Sequence, residues 1–439
     1  MNRVLPTEHP QRLELAHEVH ARPYEVHETP VRASFLALLA PPEARPSELD
    51  RIADLCARFE VPPPSADTGY FRAELGPCRV RWERHTEFST YAFFVPGEDG
   101  TAFSRPAITA LPEGWTSGLP GELVFAAHAE LLRADVPSSP DAYAHLFEGS
   151  DLVGSEVGDG AAVVLTDFRV QADGFGRFLV FDRSLARRQA GRLLQRLFEI
   201  EAYRMMALLA FPVARAAMSA LPVMEQRLVA ITSGIAGERG ADESRLLEEL
   251  TRLAAEVENL IASNQSRFRA ARAYYGIVSS RIGDLRERRI RTLQTIDEFM
   301  ARRLAPAMDT CNSASSRELE LSERASRASS MLHTRVDVVL ERQNQQLLES
   351  MDRRARLQLR LQETVEGLSV AAITYYLVGL VGYAAKGLHA AGWPLDAELV
   401  MGVSIPIVAV IAALGVRYVR RASTRAANGG ASAVRNPGR

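Results

Sequence analysis

The sequence predicts an α+β protein, with an α/β domain over residues 1–183, a helical stalk over 184–367 and a membrane hairpin over 368–416. Three observations carry this. Short strand-like runs separated by turn signals fill the chain as far as Asp182. After Ser184 the apolar period changes to 3.6. Two uncharged segments then follow, LSVAAITYYLVGLVGYAA (368–385) and LVMGVSIPIVAVIAALGV (399–416). Residues 417–439 read as a basic, disordered cytoplasmic tail.

Composition narrows the function classes. With 24% charged residues and a net charge of −2, nucleic-acid binding is not expected. Cys56, Cys78 and Cys311 lie far apart, so neither a zinc ribbon nor a disulfide framework is indicated. MNRVLPTEHPQR has no apolar core and is not a signal peptide.

Taken in order, a short helix is expected near 11–19, and VRASFLALL (31–39) reads as a buried strand. Ser47 is placed to cap an amphipathic helix that ends before Pro62. Strands follow at 70–75, 78–85, 88–95, 122–131, 151–157, 161–170 and 176–182, with one further helical pattern at 139–147. Alternation through Arg79, Val80, Arg81, Trp82 and Glu83 predicts a sheet with one wet face. Ser184 can cap the first stalk helix, which Pro212 halts. A second helix runs over 213–237, and a third starts near Asp242 and continues through the basic run RERRIR (286–291). A last helix runs from about Ser315 into the first apolar segment. Its spacings of eleven (Ala325, Val336, Leu347) predict a nearly straight bundle.

Each apolar segment holds eighteen residues, about 27 Å of helix, at the lower end of what a hydrocarbon core of about 30 Å requires. Arg353, Arg354, Arg356 and Arg360 precede the first and Arg417, Arg420, Arg421 and Arg425 follow the second, which predicts both termini on the cytoplasmic side. The lipid bilayer is therefore the first partner expected.

Catalytic signals are weak. GDGAA (158–162) and ADGFG (172–176) lack the Gly-Lys-Ser/Thr ending of a phosphate loop and read as turns. No Ser/His/Asp order or paired carboxylates suggest an enzyme. His17 and His20, with Glu18 between them, could ligate a metal ion, the one cofactor the sequence suggests; hydrogen-bonding or capping roles are the alternative.

The order of elements, an α/β domain, helices, one very long helix and a basic-ended second span, resembles the CorA-type two-span magnesium transporters. In VGLVGYAAKGL (378–388), Tyr383 matches the Tyr of that superfamily's Tyr-Gly-Met-Asn motif, while Ala384, Ala385 and Lys386 replace the rest. The signature Glu18-x-His20-Ala21-Arg22-Pro23 resembles that of an uncharacterised family of bacterial membrane-anchored proteins with the same layout. The resemblance implies an inner-membrane homo-oligomer, in the CorA manner a pentamer. Its first span would line a pore through Ser369, Ala372, Tyr376, Gly379, Tyr383 and Lys386, with Ile373, Leu377, Leu380, Ala384 and Leu388 facing lipid. Alternatively, Gly379 and Gly382 let the two hairpin helices approach closely. Lys386 would either ring the outer mouth and repel divalent cations or snorkel to the headgroups. Asp396 and Glu398 in the outer loop could attract cations. The other expectation is a non-conducting sensor or scaffold whose soluble domain binds a ligand.

Overall fold

Alternation along β1 (Val31–Leu39) organises the first part of the molecule. Val31, Ala33, Phe35 and Ala37 enter one core and Leu36 and Leu38 enter another, so the strand is buried on both faces. The computed structural model describes residues 8–13, 15, 24–97, 101–133, 140–149, 151–237, 243–290, 292–390, 394 and 396–431. β1 is joined by β2 (Tyr70–Leu75), β3 (Cys78–Arg84), β4 (Phe88–Pro96), β5 (Glu122–Leu132), β6 (Val153–Val157), β7 (Ala162–Thr166), β8 (Gly176–Asp182) and β9 (Arg288–Arg289). Together they form one nine-stranded sheet in the order β2-β3-β4-β1-β5-β8-β7-β6-β9. Neighbours are antiparallel except β5 and β8, which run parallel. β7 stops at Thr166, short of the expected 170, because Arg169 N–H closes an Asx turn on Asp167 Oδ1 and Phe168 takes φ +55°.

Helices cover one face. α1 (Arg45–Arg58) and the Trp115 loop cover the other, with Ile52, Leu55, Trp82, Tyr91 and Phe93 between them. α1 starts two residues before Ser47, so Ser47 is not its cap. The pattern at 139–147 forms a 3-10 helix, Pro140–Phe147. The expected wet face is buried: Arg81 is 3% and Glu83 6% exposed, under the segment 24–28 and α2 (Arg187–Leu208). Alternation of charged and apolar residues marked the two faces correctly, but ion pairing on the charged face let it be covered.

α2 packs on the sheet through Leu194, Leu197 and Phe198, whose ring stacks 4.7 Å from Phe35. Ala186, not Ser184, occupies its N-cap position. Pro212 lies in the first turn of α3 (Ala210–Ala236), so the break comes at Leu209. α4 (Glu243–Leu285) ends where Arg286 adopts φ +51°. Residues 286–290 of the basic run are therefore not helical: Arg288 and Arg289 pair with Glu156 and Ser155 at the sheet edge. Glu287 fixes this corner, accepting from Ser155 Oγ and from the Ile296 and Asp297 amides at the start of α5 (Ile296–Arg303). Thr295 and Glu298 complete a reciprocal capping box.

α6 (Ala305–Ala390) is one unbroken helix. Its buried positions Cys311, Ala314, Glu318, Leu321, Ala325 and Ala328 alternate by three and four residues; of the series spaced by eleven, Ala325 is buried, Val336 partly covered and Leu347 exposed. Asn264 and Glu318 interrupt the apolar seam and satisfy each other, Nδ2 donating to Oε1 at 2.7 Å.

The chain divides into two compact units, residues 1–330 and 331–439. In the second, Leu340, Leu347, Met351, Leu357 and Leu361 of α6 are exposed. α7 spans Ala397–Ala431, so helix continues past Val416 into the basic tail. Among the described residues three helical stretches are long and apolar enough to cross a membrane, 187–236, 296–390 and 398–418. The most apolar window of the first is 33% buried, against 11% and 6% for the others. Its apolar face is already committed to the core of the first unit.

Candidate functional site

The signature residues Glu18, His20, Arg22 and Pro23, and the candidate ligand His17, lie outside the described residues. The chain that follows them is an extended strap, 24–28, laid across α2. Gly191 makes this crossing possible, since a Cβ there would sit 1.8 Å from Glu25 O. His27 N–H donates to Arg187 O at 3.2 Å, and Thr29 Oγ1 donates to Asp182 Oδ2 at 2.6 Å. The strap drives two polar side chains inward. Glu25, 1% exposed, accepts from Arg79 Nη1 at 3.2 Å, and its other oxygen lies 3.1 Å from Arg72 Nε without an aligned hydrogen bond. Arg81 donates to Gln195 Oε1 at 2.9 Å. His27 packs 4.4 Å from the Phe94 ring. Burial, then Arg79, Arg81 and Arg72, push its pKa down to about 3, so the ring is neutral at physiological pH. Its Nε2 is buried without a hydrogen-bond partner, and the ring borders a cleft of about 590 Å³ that Cys78, Arg79 and Arg187 also line.

A second polar group lies on the opposite sheet face. β1 and β5 pair Ser34 with His128 and Arg32 with Glu130. Ser34 Oγ sits 2.9 Å from His128 Nδ1 and accepts the Ile108 amide at 3.0 Å. A serine against an imidazole has the geometry of a nucleophile and its base, which residue order could not reveal across 94 positions. Burial sets its role: Ser34 is 0% and His128 3% exposed, and the imidazole stacks 4.0 Å from Phe175. Burial pushes the His128 pKa down to about 4, so the pair is a satisfied core hydrogen bond. Glu130 accepts the Phe103 amide at 3.1 Å, and burial lifts its pKa to about 7.

In the second unit the predicted stripe on α6 lies beside the α7 seam: Ser369 and Gly379 are partly covered, and Tyr376, Gly379 and Tyr383 open onto a hollow that α7 also lines. Val370, Thr374, Val378, Gly382 and Ala385 are wholly or partly covered, whereas Ala372, Tyr376, Tyr383 and Lys386 are exposed. Gly382 is where the helices close, for a Cβ there would meet Met401 Sδ at 2.5 Å; Gly379 has nothing within 4 Å. Ser369 spends its hydroxyl on Val365 O. Tyr376, Gly379 and Tyr383 border a hollow of about 920 Å³ that Thr374, Met401 and Ile405 also line. Asp396 Oδ1 accepts the Glu398 amide at 3.0 Å at the start of α7, a capping role. Among the described residues no cluster of three or more His, Cys, Asp or Glu could hold a metal ion.

No curated protein matches the chain. From residue 7 to residue 423 it matches the family described as protein of unknown function, DUF3422, and it belongs to that family.

Proposed function

We propose that α6 and α7 cross the bacterial inner membrane as a hairpin with both termini in the cytoplasm, and that copies assemble around α6 to form an ion path of CorA-like layout. The observation carrying this is the division of α6 into three faces. One is used on α7. A second presents large apolar residues, Ile373, Leu377, Leu380 and Leu388, suited to lipid. The third carries Ala372, Tyr376, Tyr383 and Lys386 exposed and Ser369 and Gly379 partly covered, a mostly small and hydroxyl-bearing stripe that borders the hollow beside α7 and suits other copies or a water-filled path. The exposed leucines between Leu340 and Leu361 support the same assembly, since an isolated helix leaves them in water.

In a pentamer, Lys386 would place a ring of ammonium groups at one mouth, and the repelled species are divalent cations. The path therefore carries something other than Mg²⁺. Native mass spectrometry of the full chain in detergent should give a pentamer, and proteoliposomes should pass monovalent ions. Lys386→Ala should raise divalent flux, and Gly379→Leu should lower all flux. A monomer, or no flux from a pentamer, rejects the pore.

The second reading is a non-conducting membrane-anchored sensor or scaffold. It is favoured by the cleft beside the strap, where His27 Nε2 has no partner. It requires no flux and indifference to changes at Tyr376, Gly379 and Lys386.

A further inference from the structure

The β3–β4 turn, the loop ahead of β2 and the helices α1, α2 and α4 border a second, open cavity in the first unit, about 570 Å³ and separate from the strap. One wall is aromatic. His85 stacks on Phe88 at 4.2 Å, Tyr203 stands edge-on to Phe88 at 5.7 Å, and Tyr203 and Tyr274 stack at 5.5 Å. Tyr203 belongs to α2 and Tyr274 to α4, so three segments distant in sequence supply two stacked pairs, His85–Phe88 and Tyr203–Tyr274, set nearly perpendicular to each other.

Carboxylates behind this wall hold the lining side chains. Glu48, 0% exposed, pairs with Arg84. Glu83, 6% exposed, lies 3.9 Å from His85 Nε2. Glu87 accepts Tyr274 Oη at 2.5 Å and is clamped by Arg267 at 2.6 and 3.2 Å. Such support from behind is what keeps a binding surface in one geometry. It also neutralises Glu48 and Glu87 together with their arginine partners, and Asp67 is the carboxylate that lines the cavity itself.

The opposite side offers donors. Arg45 Nη2 donates to Ala66 O at 3.0 Å and Thr68 O at 3.3 Å, which fixes the guanidinium at the cavity, and its Nε is buried without an acceptor. Arg84 also lines the cavity, but its guanidinium is engaged by Glu48 and by Pro41 O. A buried donor lacking an acceptor is costly, and the Arg45 guanidinium favours an anionic group. The complementary ligand therefore brings an anionic group for Arg45, a planar ring for the tyrosine pair, and a hydroxyl for Asp67.

We propose that this cavity binds a nucleotide, with the base stacked on the Tyr203–Tyr274 pair and the phosphate on Arg45. The volume lies within the range of small-molecule sites, and base–aromatic stacking with Arg–phosphate contacts is a recurring means of holding such ligands.

Isothermal titration of the full chain in detergent with AMP, adenosine and inorganic phosphate tests this. AMP should bind at one site per chain, more tightly than adenosine or phosphate. Arg45→Gln should weaken AMP by at least about tenfold and leave adenosine unchanged, whereas Tyr203→Leu should weaken both. Arg45 also ties down the loop at 66–68, so melting is followed in parallel, and Arg45→Lys should recover part of the AMP affinity. The proposal is overturned if AMP does not saturate by about 5 mM, if folded Arg45→Gln and Tyr203→Leu both bind it as wild type does, if phosphate alone binds as tightly, or if tetramethylammonium displaces it. These outcomes concern the cavity alone and stand whether or not the hairpin conducts.

Discussion

In the first unit Leu194, Phe178 and Phe198 are at most 2% exposed, while in the second Leu380, Val403, Ile411 and Tyr383 are 59–78% exposed. Both sets sit in regular, apolar-patterned elements. The first unit has a sheet with two faces and helices enough to cover both, so its apolar surface is removed from water within one chain. The second has two helices, and a hairpin can bury only the seam between them. Its remaining faces fit lipid or further copies, and the same residue types therefore carry different information: stability in one unit, environment in the other.

The sharpest way to break this contrast is to cut one large side chain from each region. Phe198→Ala should cost the first unit about 3–5 kcal/mol, read from denaturant midpoints of the full chain in detergent. A loss below about 1 kcal/mol would mean that the sheet–helix core is not what holds that unit together. In the hairpin, Leu380→Arg should leave that unfolding transition in place but cost about 2.5–3.5 kcal/mol of membrane insertion. The variant should shift toward the carbonate-soluble fraction; unchanged partitioning would detach the second unit from the bilayer.

Glu130 sharpens the comparison from within the first core. Its folded pKa of about 7 lies above the usual 4.5, so the folded state holds the extra proton between those values, and stability falls as pH rises through that window. Glu130→Gln should remove that slope, a difference of up to about 3 kcal/mol between pH 4.5 and 7. Gly191→Val should dislodge the strap and, by exposing His27, raise its NMR-measured pKa from about 3 toward 6.5. A histidine that stayed near 3 would show that the strap does not depend on the close approach. The smallest effect belongs to Leu361→Ala, which should move the stability of a detergent-dispersed monomer by less than about 0.5 kcal/mol. A larger shift would place that helix against a partner even in the dispersed chain.

Much of the first unit was legible before its structure. Strand positions followed from alternation and turn residues because a buried strand of this kind has few other ways to satisfy its backbone. The misread segments share one cause, long-range partners that override local pattern. RERRIR looked like a continuing helix, yet the edge of β6 and the Glu287 carboxylate drew it into the sheet. Arg81 and Glu83 looked like a wet face, yet Glu25 and Gln195 gave that face partners. The aromatic cavity had no local signal at all, for Arg45, His85, Tyr203 and Tyr274 meet only after folding.

By itself the amino-acid order determined where the chain alternates by two and where by three and four, and hence the mixed sheet, the helices and the two apolar segments at the end. Those are consequences of backbone geometry acting over neighbouring residues. Which faces became dry, which carboxylate met which guanidinium and where cavities opened were decided only when strands and helices distant in sequence packed together. Burial and charge pairing depend on distances in space that no short window of sequence contains.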